Sequence, residues 1–365
     1  MKIKLTISFL LYATYLLAQK PEINKKIDSL DLFSMVQPVP ATHIFSDTAY
    51  NIWCGSVTKA KSGKFYMFYS RWKRELGHEA WITHSEIALA KADNPEGPYR
   101  HIKVILPPRG TQFWDGTTTH NPAILPYKGK FYLYYMGSTG KSYVKPHTSY
   151  NNPNWWEYRN NQRIGVAVAN DPEGDWMRFD TPILDVGSDS TAADALMVSN
   201  PAITVDKNGR FILIYKQVEK KTGVLRGGKV RFGVAFSKSP NGDFIKHNKP
   251  IFEAKDSEKE WMVAEDPFIW HQQEVNYAIV RDVVGKFTGE SGALALMIST
   301  NGIDWQPAQH PKVLANKVYQ ANGKAFDDKL ERPCLYIEQS VPKLLFGAMG
   351  FEKRKYSVNV AVPLK

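Results

Sequence analysis

One short pattern recurs five times along this chain, and it restricts the fold more than any other feature. A polar or acidic stretch runs into an apolar strand, a tight turn and an aromatic strand, followed later by a strand of small apolar residues. The clearest copies are His120-Asn121-Pro122-Ala123-Ile124 and Ser199-Asn200-Pro201-Ala202-Ile203. Variants are Glu265-Asp266-Pro267-Phe268-Ile269 and Glu331-Arg332-Pro333-Cys334-Leu335, with a degenerate first copy at Trp53-Cys54-Gly55-Ser56-Val57. Asn121 and Asn200 are 79 residues apart, while Gly55 to Asn121, Asn200 to Asp266 and Asp266 to Arg332 are 66 each. Periods longer than about 40 residues with several strands apiece describe propeller blades rather than helical solenoids.

Each copy reads as a four-stranded antiparallel blade. The turns Lys61-Ser62-Gly63-Lys64, Tyr127-Lys128-Gly129-Lys130 and Asp206-Lys207-Asn208-Gly209 each lead into an aromatic, β-branched run such as Phe65-Tyr66-Met67-Phe68-Tyr69. Gly and Asn accept the positive φ of hairpin turns, and such runs favour strand. Third strands recur at Ile87–Ala90, Gly165–Val168, Gly233–Phe236, Ala293–Leu296 and Val358–Ala361. Three of them end in a Pro- and Gly-bearing turn followed by an aromatic, as in Asn94-Pro95-Glu96-Gly97-Pro98-Tyr99. No long segment keeps a 3.6-residue apolar period. The expectation is an all-β, five-bladed β-propeller over residues 46–365. Five matched copies argue against an irregular β-sandwich.

Residues 1–18 have the order of a secretory signal: Lys2 and Lys4, an apolar run from Ile7 to Leu17, then the small residue Ala18. The run is too short for a convincing membrane span, and no nearby cysteine offers a lipid anchor. A periplasmic or secreted protein without membrane insertion is therefore expected, with residues 19–45 as a lead-in packed outside the propeller. The net charge of +11 becomes +9 once Lys2 and Lys4 are removed. That excess suits uronic-acid or sulfated glycans as well as a plain solvated surface. The basic residues are dispersed and match no nucleic-acid motif, so nucleic acid is not expected as a partner. The two cysteines, Cys54 and Cys334, fall in blades that ring closure makes neighbours. A bridge is conceivable, but their different repeat positions favour two buried thiols.

In a propeller the innermost strands line one channel, so the repeat boundaries nominate a ring of residues at its mouth. Asp115, Asp194 and Glu260 each lie six residues before Asn121, Asn200 and Asp266. Converging carboxylates are what glycoside hydrolysis needs: one protonated, to serve the leaving oxygen, and one ionised, to activate water or attack carbon. The competing reading is that these acids cap turns. No calcium loop is present and no cofactor is expected, although two acids and a His near the axis could hold a channel-bound calcium ion.

The chain resembles the five-bladed propeller glycosidases, the superfamily of glycoside hydrolase families 43, 32, 62, 117 and 130. The motifs that carry the resemblance are Trp114–Pro122, Ala264–Phe268, Ile279–Gly289 and Leu330–Pro333. It implies a carbohydrate substrate and a catalytic Glu in blade four, which falls on Glu265. Enclosure by Trp261 and Phe268 would raise its pKa, as a general acid requires; the alternative is an ion pair with Arg281 or Arg332. Two family positions are changed: the blade-one Asp slot holds Cys54 or Gly55, and the blade-three slot holds Asn200. Three readings stay open. Asp115 or Asp194 supplies the base; or phosphate replaces water, as in an inverting phosphorylase; or the propeller binds glycans without cleaving them. Arg281, Lys286, Arg332 and His120 would hold phosphate or an acidic substrate group. Trp53, Asn121, Asn200, Asp266, Asp282 and Glu331 complete the expected substrate-binding set. The long insertion 137–163, with Asn154-Trp155-Trp156-Glu157-Tyr158, is expected to overhang the pocket and close one end of the channel.

Overall fold

A computed structural model describes residues 28–365; the candidate signal 1–18 and the first part of the lead-in lie outside the described residues. The lead-in carries α1 (Leu32–Met35) and β1 (Ile44–Phe45). Blade one is β2 (Tyr50–Lys59), β3 (Phe65–Lys73), β4 (Glu86–Ala92) and β5 (Arg100–Leu106), with α2 (Trp81–His84) between β3 and β4. Blade two is β6 (Thr118–Tyr127), β7 (Lys130–Ser138), β8 (Arg163–Ala169) and β9 (Met177–Arg178), with α3 (Pro153–Asn160) in its long insertion. Blade three is β10 (Met197–Val205), β11 (Phe211–Val218), β12 (Val230–Ser237) and β13 (Ile245–Lys246). Blade four is β14 (Ala264–Gln272), β15 (Val275–Asp282), β16 (Leu294–Ser299) and β17 (Gln306–Leu314). Blade five is β18 (Glu331–Glu338), β19 (Val341–Phe351) and β20 (Tyr356–Pro363).

These strands form five antiparallel four-stranded sheets, so the five-bladed propeller is the observed fold. The fourth strand of blade five is β1, paired as Ile44↔Val360 and Phe45↔Asn359. A piece of the lead-in therefore joins the two ends of the ring. This pairing covers an edge of β20 that would otherwise be open.

The apolar core lies between blades rather than within them. One cluster joins blades one and two through Phe68, Leu89, Leu133 and Tyr135. Others join two to three (Tyr134, Val166, Leu213), three to four (Phe232, Val234, Val280), four to five (Ile279, Leu296, Leu345) and five to one (Met67, Tyr69, Phe346). Each fully buried side chain of this kind contributes roughly 1.5–3 kcal/mol, so a single blade leaves both faces wet and the ring is the stable unit. Cys54 and Cys334 are both buried and unbridged.

Every innermost strand breaks register at the repeat motif. The bulges fall between Trp53 and Ser56, His120 and Ala123, Ser199 and Ala202, Glu265 and Phe268, and Glu331 and Cys334. One residue in each is left-handed: Cys54 (φ 55°), Asn121 (54°), Asn200 (49°), Asp266 (54°) and Arg332 (55°). The first-blade equivalent of Asn121 is thus Cys54, not Gly55, which corrects the 66-residue spacing assigned to that copy. In four blades the next residue is Pro, which has no N–H to satisfy at a bulge. In blade one it is Gly55, whose N–H donates to Asn359 Oδ1 at 3.1 Å.

The left-handed residues are tied around the channel. Cys54 Sγ donates to Asn121 Oδ1 (2.9 Å), Asn121 Nδ2 to Asn200 Oδ1 (2.9 Å), and Asn200 Nδ2 to Asp266 Oδ1 (2.8 Å). Asp266 then accepts from the Arg332 backbone N–H and Nη1, both at 3.3 Å. Burial raises the Cys54 thiol's pKa, so it keeps the proton it donates. Asn200→Ala removes two links of this chain and places a β-carbon in a left-handed conformation. It should destabilise the protein by about 2–4 kcal/mol in urea unfolding, and Asn200→Gly should recover only the backbone part. Equal losses for Ala and Gly would contradict the backbone contribution.

Candidate functional site

Above this polar ring the channel opens into a cavity of about 560 Å³. Below it, a space of only about 30 Å³ remains, lined by the bulge prolines 122, 201, 267 and 333 and by Phe268. Asn121, Asn200, Asp266 and Arg332 face the cavity as its floor. The residue just before the left-handed one points into it from four blades: Trp53, His120, Glu265 and Glu331. The bulge kinks each inner strand and so aims these side chains.

The walls of blades three to five alternate in charge. Glu265 forms ion pairs with Lys216 and with Arg281. Arg281 also acts electrostatically on Glu331, which bonds Arg354 at 2.7 Å, and Arg354 bonds Asp328 at 2.7 Å. Register explains two of these positions. Arg281 lies directly across the hairpin from Glu265, and Lys216 lies across from Ser199, the same repeat position one blade earlier. Burial opposes ionisation of Glu331, but Arg281 and Arg354 outweigh it and hold the carboxyl down at about 2. Burial pulls the Lys216 ammonium down to about 7, with Asp266 opposing the shift.

The rest of the wall comes from blades one and two. Glu79, in the segment between β3 and β4, has its pKa raised by burial. Its carboxyl accepts from Trp81 Nε1 at 3.3 Å and meets Tyr150, while its backbone carbonyl accepts from Trp155 Nε1 at 3.1 Å. The insertion does overhang the opening: Tyr150, Trp155, Trp156 and Arg159 line the cavity, and Trp155 stands edge-on to Trp81 at 5.9 Å. His120 lies beneath Trp81 at 5.0 Å between ring centroids, and its Nδ1 meets the Ser85 hydroxyl at 2.7 Å. Burial, together with Arg332 and His78, drives its pKa well below the ordinary value, so His120 is a neutral imidazole and not a cation.

The residues nominated by the sequence separate into two groups. Trp53, His120, Asn121, Asn200, Glu265, Asp266, Arg281, Glu331 and Arg332 come together in the cavity. Asp115, Asp194, Asp282 and Lys286 are not among its lining residues. Asp115 is fully buried and held by Arg109 Nε (2.6 Å) and Tyr135 Oη (2.7 Å). Asp194 is buried against Lys246. Asp282 folds the next loop by accepting the N–H groups of Lys286, Phe287 and Thr288 at 2.8–2.9 Å, which leaves Lys286 exposed. Asp115 and Asp194 therefore do not converge on the cavity: each precedes its strand and is taken up by a partly buried cation, and Glu260, the third upstream carboxylate, is not among the lining residues either. The apolar enclosure expected for Glu265 is replaced by two cations, and Phe268 lies below the ring. Among the described residues no group of three or more His, Cys, Asp or Glu could hold a metal, and no helix is long and apolar enough to cross a membrane.

Glu79, Lys216, Arg354 and Arg159 lie outside the set that the sequence nominates. Hairpin register would have given Lys216, since it repeats the position of Arg281. Glu79 and Arg159 carry no repeat signal, because loops outside the pattern bring them over the channel.

The protein belongs to the architectural class of five-bladed propellers shared with glycoside hydrolases of families 43 and 117. A solved glycoside hydrolase superposes with a TM-score of 0.66 at 16% identity, covering 94% of this chain and 95% of that one. Zg3597, a family 117 glycoside hydrolase produced by the marine bacterium Zobellia galactanivorans, gives 0.60 at 16% identity, covering 90% of both chains. A thermostable family-43 glycoside hydrolase gives 0.58 at 12% identity, covering 90% of this chain and 91% of that one. At these identities the likeness is one of fold. No family model and no curated protein sequence matches the chain.

Two outcomes follow from the placements. Asp115→Asn should lower unfolding free energy by about 3 kcal/mol, because it removes the buried carboxylate that faces both Arg109 and Arg178; an unchanged urea midpoint would refute the structural role. His120 binds a proton in the unfolded chain below about pH 6.5 but not in the folded one, so stability is lost as pH falls through that value. His120→Gln should make the pH dependence between 6.5 and 5 shallower, by an amount that rises from about 0.7 toward about 1.4 kcal/mol per pH unit as pH falls, read from urea titrations at each pH.

Proposed function

We propose that the protein is an exported glycoside hydrolase that removes terminal sugars from plant or algal polysaccharide fragments. The observation that carries this is the pair of unlike carboxyl groups lining one cavity. Burial favours the protonated form of Glu79, while Glu265 sits in two ion pairs. Hydrolysis needs that division of labour: one carboxyl gives a proton and another takes one or attacks carbon.

Glu79 donates its proton to the glycosidic oxygen as the bond to the anomeric carbon breaks. Glu265 accepts a proton from the incoming water, or first bonds the anomeric carbon and is then released by water. This reverses the acid role that its blade-four position suggested, because an ion-paired carboxylate has no proton to give. Glu331 is a poorer base, since its carboxyl is held down at about 2. Lys216 and Arg281 orient Glu265, and the indoles of Trp53, Trp81 and Trp156 offer faces for sugar rings. Exo action is supported by the hydrogen-bonded floor and the overhanging insertion, which make the channel a pocket rather than a groove. Export rests on the pattern of residues 1–18. Fold neighbours that are glycoside hydrolases agree with the reading.

The test is a screen of plant and algal oligosaccharides without added phosphate, with released sugars resolved by chromatography. Glu79→Gln and Glu265→Gln should each lower turnover by about 10²–10⁴ while binding persists. Turnover unaffected by Glu79→Gln would remove it as the donor. Sugar phosphate released only with added phosphate would make the protein a phosphorylase. Binding without turnover by the unaltered protein would make it a glycan-binding propeller.

A further inference from the structure

The ion pairs in the cavity leave a surplus of positive charge in one place. Glu265, Asp266 and Glu331 each have a cationic partner. Arg159 and Arg226 also face the cavity, and no carboxylate among the described residues pairs with either. Arg159 is only 8% exposed. Its guanidinium donates through Nη1 alone, to Asn160 Oδ1 (3.1 Å) and the Arg226 carbonyl (3.2 Å). Desolvating a guanidinium without a counter-ion costs several kcal/mol, which an incoming anion would offset. Burial lowers its pKa only to about 10, so the charge persists at neutral pH.

The surroundings of these two arginines suit a sugar. The Arg159 guanidinium lies over the Trp156 ring at 5.5 Å, and that of Arg226 lies over the Trp261 ring at 5.6 Å. Trp261 stays 42% exposed, so an apolar face remains free at the rim. Arg226 belongs to the segment Lys220-Lys221-Thr222-Gly223-Val224-Leu225-Arg226-Gly227-Gly228-Lys229, which carries four cations, while Glu219 just before it accepts from the Lys229 backbone N–H at 2.9 Å. Arg159 also acts electrostatically on Lys216, which places it close to the Glu265 side of the site.

We propose that Arg159 and Arg226, flanked by Trp156 and Trp261, form a subsite for an anionic sugar residue carrying a carboxylate or a sulfate ester. Guanidinium forks bind both groups in a bidentate manner, and the indole faces take the apolar side of the ring. The proposal rests on the glycosidase reading of the same cavity and names the class of substrate it takes.

The test is calorimetric binding to the full mature chain bearing Glu265→Gln, so that turnover does not enter. The probes are a neutral galactotriose, trigalacturonate and a sulfated galactotriose. At least one anionic probe should bind tenfold or more tighter than the neutral one, and the better of the two identifies carboxylate or sulfate as the recognised group. Arg159→Met should weaken that probe by about 10–100-fold, the loss expected for a charged hydrogen bond, and the neutral probe by far less. Arg226→Met, at an exposed position, should weaken it by several-fold and guards against misfolding of the Arg159 variant. Equal binding of neutral and anionic probes, binding of none, or insensitivity to both substitutions would overturn the subsite. Cleavage of neutral oligosaccharides alone would sink the subsite and spare the hydrolase. Arginine-dependent binding of an anionic probe with no cleavage in the unaltered protein would spare the subsite and sink the hydrolase.

Discussion

The chain of hydrogen bonds from Cys54 through Asn121, Asn200 and Asp266 to Arg332 is the constraint on which the rest of the structure depends. It takes one residue from each blade, at the one point where each inner strand leaves the sheet conformation. A non-glycine residue in the left-handed region costs about 1 kcal/mol or more, least for Asn and Asp. Three of the five positions use those residues. The Cys54 and Arg332 positions hold that conformation because their side chains end in ring partners. The same bulges that seat the ring turn the preceding residues into the cavity, so floor and walls have one cause.

Packing makes the ring obligatory. Five apolar clusters lie between successive blades, and none completes a blade by itself. Ends distant in sequence must meet to bury the last cluster, and the pairing of β1 with β20 fastens them. A rigid ring then carries loops of unequal length. The insertion holding α3 reaches across to blade one, where Trp155 bonds the Glu79 carbonyl. One end of the channel thereby becomes a walled pocket over a floor with almost no space beneath it.

Within that pocket the two sides have different electrostatics. Blades three to five carry Lys216, Glu265, Arg281, Glu331 and Arg354 in alternation, an arc in which Glu265 pairs with Lys216 and Arg281, and Glu331 pairs with Arg354. Glu79 stands among indoles and a tyrosine, within electrostatic reach of Arg354 and Glu331, and there burial favours the neutral acid. The difference between Glu79 and Glu265 thus comes from environment and not from residue type, since both are glutamates. The unpaired Arg159 and Arg226 extend the positive side outward to the rim.

The repeat in the sequence determined the number of blades, their hairpins, the low helix content and the ring of inner-strand residues. It did so because a blade is a local object, and turn chemistry and strand alternation are written within a few residues of each other. It also carried Glu265, Glu331 and their neighbours to the channel mouth, since these positions travel with the repeat. Tertiary structure alone decided what surrounds them. The acids six residues upstream, Asp115 and Asp194, looked equivalent to the bulge residues in spacing, but Arg109, six residues before Asp115, and Lys246, on the outer strand of blade three, hold them outside the cavity. Glu265 met Lys216 and Arg281 instead of an apolar shell. Glu79 and Arg159 entered the site from loops outside the pattern. Charge state and partner choice depend on which side chains meet across blades, and that is fixed only when the ring closes.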